Sequence, residues 1–155
     1  VSVGETPITL VGNLTDDPEL RFTPQGVAMA RFTIASTPRT YDKNNGQWRD
    51  GTALFLRCTA WREMATSIAE SLTKGMRVVA VGRLVQHNWQ TDQGETRSML
   101  GLDVEDIGPS LRFATAKVTK TQRTNGTTSA PAADPWADAA PAPAGVAAVG
   151  NEPPF

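Results

Sequence analysis

Cysteine is almost absent from this chain of 155 residues. Cys58 stands alone, so no disulfide can close within one copy and no cysteine cluster can hold zinc. Histidine is as scarce: His87 is the only one, which removes a two-histidine metal pair. Excess charge is missing too, with 15 basic against 16 acidic residues and a formal net charge of −1. No apolar run approaches the ~20 residues that a membrane helix needs. The opening Val1-Ser2-Val3-Gly4-Glu5 lacks the basic-then-apolar order of a secretory signal, so the expected location is the reducing cytoplasm.

The last 35 residues lack Leu, Ile and Met altogether, yet hold six of the eleven prolines. Such a stretch cannot bury enough apolar surface to offset its ordering entropy, so residues 121–155 read as a disordered tail behind a domain at 1–120. One cation, Arg123, against Asp134, Asp138 and Glu152 gives the tail −2; the whole-chain −1 then leaves +1 for residues 1–120. Any binding surface must therefore come from local clustering of charge. Two apolar islands interrupt the tail, Trp136 between Asp134 and Asp138, and Phe155 at the end. An inert solubilising tail explains the composition, whereas an exposed terminal aromatic in a polar tail points to a short docking motif.

What remains is a chain with 39% hydrophobic residues, enough for a core, arranged mostly at strand spacing. Ile8 to Leu14 is an apolar run ending at the Asp16-Asp17-Pro18 turn, and Glu19 to Thr23 is a short extension ending at Pro24-Gln25-Gly26. From Val27 to Thr37 the pattern alternates, with Ala28, Ala30, Phe32 and Ile34 on one face. Leu54 to Trp61 alternates again. Met64/Ala65, Ile68/Ala69 and Leu72 recur at helical spacing before the Lys74-Gly75 stop. Arg77 to Trp89 and Arg97 to Ile107 then form a hairpin around Asp92-Gln93-Gly94-Glu95. Three strands, one short helix and two strands predict an all-β fold, a five-stranded oligonucleotide-binding (OB) barrel.

The loops of such a barrel carry the chemistry. Asn45-Gly46 suits a hairpin tip, and folding there brings Tyr41 and Trp48 together with Arg39, Lys43 and Arg49 beside them. The second hairpin carries Arg83, His87 and Trp89 on one arm and Arg97 on the other. Unpaired nucleic acid offers bare base faces and a line of phosphates. Flat rings stack on any base at ~1–3 kcal/mol each, while Arg and Lys neutralise phosphates and release counterions. Each ring alone is also compatible with local packing, and Arg39 and Lys43 alone with a solvated face. Trp61 closes the strand Leu54–Trp61 next to Arg62, and by pattern alone its burial is favoured. Cys58 reads as a small core hydrophobe, and His87 as a surface neighbour of the bound strand.

Catalysis has little to stand on. No nucleophile has a base beside it and no Gly-rich phosphate loop precedes a helix. The carboxylates Glu63, Glu70, Asp103, Glu105 and Asp106 leave a metal-dependent nuclease as the weak rival, and a barrel that holds another protein as the second one. No cofactor, metal site or catalytic residue is expected.

Several segments together carry a resemblance: Val11-Gly12-Asn13-Leu14, Asp17-Pro18-Glu19-Leu20-Arg21, Ala30-Arg31-Phe32-Thr33-Ile34-Ala35, Leu54-Phe55-Leu56-Arg57-Cys58, Trp61-Arg62, Ala69-Glu70-Ser71-Leu72 and Val81-Gly82-Arg83-Leu84. Over residues 6–120 the chain resembles the bacterial single-stranded DNA-binding proteins, most closely the actinobacterial form. The resemblance implies a nucleoid-associated homotetramer that binds single-stranded DNA with little sequence preference and serves replication, recombination and repair. It implies stacking by Trp89, by Trp61 (against the burial that its pattern favours) and by Tyr41; Leu54, with Phe55 adjacent, falls on another stacking position. Trp48 is added from the loop pattern. Arg39, Lys43, Arg49, Arg62, Arg83 and Arg97 are the expected phosphate contacts. Leu111 to Lys120 looks like the actinobacterial extra strand that reaches a neighbouring subunit. The ending Glu152-Pro153-Pro154-Phe155 looks like the family's docking tip for partner enzymes, with fewer acids than usual, so weaker and less salt-sensitive docking is expected.

Overall fold

The structure is a computed structural model in which residues 3–122 are described; the tail from 123 on, with Trp136 and the Glu152–Phe155 tip, lies outside them. One compact unit ends at Lys117. Its elements are β1 (Thr6–Leu14), β2 (Glu19–Phe22), β3 (Ala28–Ser36), β4 (Arg39–Asp42), β5 (Gln47–Asp50), β6 (Leu54–Trp61), α1 (Glu63–Ser71), β7 (Arg77–Gln90) and β8 (Thr96–Pro109).

The main sheet runs β1-β7-β8-β6-β3-β2, and β1 also pairs with β3, which closes it into a ring. This is the expected five-stranded barrel of β1, β3, β6, β7 and β8. Short β2 is added beside β3, and β4–β5 stands apart as a two-stranded ribbon. Alternation holds where it was read: Ala30, Phe32 and Ile34 face Ala60, Cys58 and Leu56 across the β3–β6 ladder, and all six are buried. Their outward neighbours, Arg31, Thr33, Arg57 and Thr59, are left on the other face.

Closure depends on one close approach. β1 meets β3 only at Asn13↔Ala35 and Leu14↔Ile34. A β-carbon at Gly12 would fall on the Ala35 carbonyl oxygen and 2.7 Å from Ile34 Cγ2, so only glycine admits the contact. Beneath the ring, α1 buries Ala65 and Ile68, with Leu72 just beyond it, against the core. The turn after α1 is tied to the β1–β2 turn: Lys74 N donates to Asp17 Oδ1 (2.8 Å), Gly75 N to the Leu14 carbonyl (2.8 Å), and Asn13 Nδ2 to the Gly75 carbonyl (3.0 Å). The first of these bonds fixes Asp17 beside the turn that follows α1.

One expected element takes no strand form within a single chain. Leu111 to Lys120 forms no strand; the chain turns at residues 111–113 and then runs on without a ladder. A strand needs an edge to pair with, and within this single chain Leu111 and Phe113 stay exposed, with Phe113 lying 5.8 Å from the Arg77 guanidinium. Among the described residues no helix is long and apolar enough to cross a membrane.

Candidate nucleic-acid interface

Besides Phe22 and Phe113, five large rings are exposed on β4, β5, β6 and β7. Tyr41, Trp48, Phe55, Trp61 and Trp89 are all at least 43% exposed. Each is held by backbone register. Tyr41 and Trp48 are partners across the β4–β5 ribbon, which turns at Asn45-Gly46 as expected, and their rings meet edge to face with centroids 5.3 Å apart. Phe55 and Trp61 lie on the outward side of β6, opposite Ala35 and Met29 of β3. Leu54, also exposed, pairs with Ser36 on the opposite side of the strand, so of the adjacent pair Phe55 is the one aligned with Trp61. Trp89 pairs with Arg97 near the tip of the β7–β8 hairpin.

Trp61 corrects the burial favoured by its strand pattern. Alternation already puts it out of phase with Leu56, Cys58 and Ala60. The chain also leaves the strand abruptly there. Arg62 has φ 60°, the only positive φ outside glycine among the described residues. Its amide donates to the Ala28 carbonyl (2.8 Å) and its own carbonyl receives the Ala65 amide (3.1 Å). Strand end and helix start are thus clamped around a strained residue, which leaves the Trp61 ring at the barrel mouth.

Beside Trp61, the one ring of the five that lines it, runs an open groove of about 690 Å³. Its floor is the outward face of β3 and β6 with part of β8: Arg31, Thr33, Arg57, Thr59, Met99 and Gly101, with Trp61 and His87 at its sides. Asp16, Asp17 and Glu19 line it on the β2 side and Asp103 on the β8 side. His87 lies over Gly101, where a β-carbon would stand 3.3 Å from its Cδ2 and Nε2. Arg31 and Arg57, diagonal neighbours through the pairs Arg31↔Thr59 and Thr33↔Arg57, were not singled out from the sequence. Their signal was present, a charged residue between two buried ones in each strand, but alternation alone does not tell which outward face is concave.

The cations that were singled out differ in what holds them. Arg39 pairs with Asp50 (2.8 Å), Arg49 with Asp42 (3.3 Å) and Arg97 with Glu95 (3.6 Å). Lys43 and Arg62 make no ion pair among the described residues. Arg83 is bound to Glu5 and Glu105 and does not line the groove. The hydrogen bond and charge of Glu5, with the charges of Glu105 and Asp103, hold its proton still more tightly than usual. No three of His, Cys, Asp and Glu among the described residues are grouped to hold a metal ion; of the β8 carboxylates, Glu105 pairs with Arg83 and Asp106 accepts from the Ile107 amide.

The model of the single-strand binding protein family matches residues 6–110. The chain belongs to that family. A single-stranded DNA-binding protein of Mycobacterium bovis is 53% identical over 163 residues, covering 98% of this chain and 99% of the relative. Single-stranded DNA-binding protein 2 of Streptomyces coelicolor is 58% identical over 118 residues, 76% of this chain and 59% of the relative. Among solved structures, the small single-stranded DNA-binding protein of Streptomyces coelicolor superposes with a TM-score of 0.61 at 33% identity, covering 70% of this chain and 97% of that one. These relatives are named as binding proteins, not enzymes, in keeping with a family that binds DNA without transforming it.

Proposed function

We propose that the chain binds single-stranded DNA with little sequence preference, through base stacking on Tyr41, Trp48, Phe55, Trp61 and Trp89 and phosphate contacts from Arg31, Arg57, Lys43 and Arg62. The observation that carries this is the exposure of those five rings on β4, β5, β6 and β7, together with a groove beside Trp61 that has Arg31 and Arg57 on its floor. Large aromatic surface left in water marks a binding site, and rings interleaved with cations fit unpaired bases and their phosphates. Leu54 adds apolar cover beside Phe55, and Arg39, Arg49 and Arg97 reach phosphate only by leaving their carboxylates. Arg83 contributes to the barrel rather than to DNA.

Assembly into a homotetramer belongs to the same proposal. Supporting it, the outer face of β1 and β7 carries the exposed Val11, Val79 and Val81, with Val11 opposite Val79 in register. From Thr6 to Gly12, β1 has β7 on one side and no strand on the other. Exposed Leu111 and Phe113 offer further apolar surface to a neighbouring subunit. The role is to coat exposed strands in the cytoplasm during replication, recombination and repair, and to recruit partner enzymes through Glu152, Pro153, Pro154 and Phe155. Removing Pro153 to Phe155 is expected to leave DNA affinity unchanged and lower partner capture.

The test is a tryptophan fluorescence titration with oligo-dT at two salt concentrations, against duplex of equal length. Tight binding of oligo-dT that exceeds duplex binding is expected, and Trp89→Ala should weaken it by ~1–3 kcal/mol. No binding of oligo-dT in dilute buffer overturns the proposal.

A further inference from the structure

The ribbon formed by β4 and β5 carries three cations and two acids, and its arginines are already occupied. Arg39 and Asp50 are register partners joined at 2.8 Å, on the same face as the Tyr41–Trp48 pair. Arg49 reaches diagonally to Asp42 at 3.3 Å on the other face. The first pair stands largely in water, with Arg39 and Asp50 63% and 66% exposed, whereas in the second Arg49 is exposed and Asp42 is partly covered. The β7–β8 hairpin repeats the arrangement, since Arg97, beside Trp89, sits 3.6 Å from Glu95. Rings are therefore presented bare, while the arginines next to them are presented neutralised.

We propose that Asp50 and Asp42 mask Arg39 and Arg49 and thereby set the preference of this ribbon for unpaired bases over duplex phosphate. The inference rests on the single-stranded DNA binding proposed above. A duplex hides its bases and offers only phosphates, so a ribbon whose cations are already paired gains little from it. A single strand docks first by stacking on Trp48 and Tyr41. Stacking then holds a phosphate close to Arg39, where it displaces the carboxylate; exposed ion pairs are weak enough to yield. Exchanging a carboxylate for a phosphate on one arginine releases fewer counterions than neutralising a bare one, so masking also flattens the dependence of binding on salt.

Asp50 is the cleaner of the two to change. Asp42 also shapes the turn by accepting from the Asn44 amide and from Asn45 Nδ2, both at 2.9 Å, whereas Asp50 has no other side-chain bond among the described residues. The test compares the full chain, Asp50→Asn, the double variant Arg39→Gln/Asp50→Asn, and Glu70→Gln, which removes the same charge from exposed α1. Oligo-dT and duplex affinities are measured across a salt series. Asp50→Asn is expected to raise duplex affinity several-fold and oligo-dT affinity less. It should also steepen the salt slope by up to about 0.7 per ribbon engaged on single strands. Restoring neutrality in the double variant should return the slope to that of the unchanged chain, and Glu70→Gln should leave it there. An unchanged slope and duplex affinity in Asp50→Asn, a double variant that stays steep, or an equal effect of Glu70→Gln overturns the masking while oligo-dT binding by the unchanged chain stands. Failure of the unchanged chain to bind oligo-dT removes the parent function instead.

Discussion

The Tyr41 ring meets the Trp48 ring edge to face across the β4–β5 ribbon, 5.3 Å between centroids, and neither is enclosed by the barrel. Each ring steadies the other, which lowers the cost of holding both ready for a base. Trp48→Ala is expected to weaken oligo-dT binding by ~1–3 kcal/mol, with little change in thermal stability because the side chain is 61% exposed. Tyr41→Ala should act similarly. The double variant should lose less than the sum, by about 0.5–1.5 kcal/mol, since each single change already removes the support of the other ring. Strictly additive losses in a double-mutant titration would show that the rings act separately.

Arg62 links stability to function. A side chain at φ 60° and ψ −134° is strained by ~1–3 kcal/mol, and glycine relieves that strain. Part of the relief is lost to the greater freedom of glycine in the unfolded chain, about 0.5–1 kcal/mol. Arg62→Gly should therefore raise the urea midpoint modestly while weakening oligo-dT binding and reducing its salt slope by about 0.7. A loss of stability would show that the Arg62 side chain supports the β6–α1 junction in some other way.

Much of this was legible in the sequence because alternation reports burial directly. The β3 and β6 cores follow their period of two, and α1 follows its 3.6-residue stripe through Ala65, Ile68 and Leu72. The ribbon was legible because Asn45-Gly46 specifies its tip and the spacing then pairs Tyr41 with Trp48. Trp61 was misjudged because its large apolar ring was weighed above its phase, although the period of two through Leu56, Cys58 and Ala60 already places it outside. Arg31 and Arg57 escaped notice because concavity comes from ring closure, which no local pattern encodes. The ion pairs of Arg39, Arg49 and Arg83 depend on side-chain reach across strands, also beyond a one-dimensional reading. The strand expected at Leu111 to Lys120 needs a second chain, so nothing within one copy specifies it.

Two glycines touch the barrel differently, and alanine should separate them. At Gly12 the added carbon meets the Ala35 carbonyl oxygen, a backbone atom held by the β1–β3 closure. At Gly101 it meets the exposed His87 ring at 3.3 Å, which can swing aside, and the Arg57 carbonyl oxygen at an ordinary contact distance of 3.5 Å. Gly12→Ala is expected to cost about 3 kcal/mol and Gly101→Ala under about 1 kcal/mol. Urea unfolding of the two variants checks this, and similar midpoints would mean that the closure is softer than its geometry implies.

Cys58 gives a pH dependence with a defined sign. The thiol is buried between Leu56 and Ala60 in β6, with its sulfur 3.5 Å from the Leu56 carbonyl oxygen. Burial pushes its pKa up from 9.0 to about 12, against a smaller opposing pull from the Ile34 backbone. The folded form therefore keeps a proton that the unfolded form releases. This contribution to stability is complete below pH 9 and is lost as pH rises from 9 towards 12. The slope approaches about 1.4 kcal/mol per pH unit for one proton inside that window. Cys58→Ala should be less stable at pH 7 through lost packing, yet should show a shallower decline above pH 9 than the unchanged chain. The folded thiol should also resist a thiol-specific reagent at pH 8 and react once urea unfolds the barrel. Fast labelling under native conditions, or parallel stability curves above pH 9, would place Cys58 in contact with solvent rather than in the core.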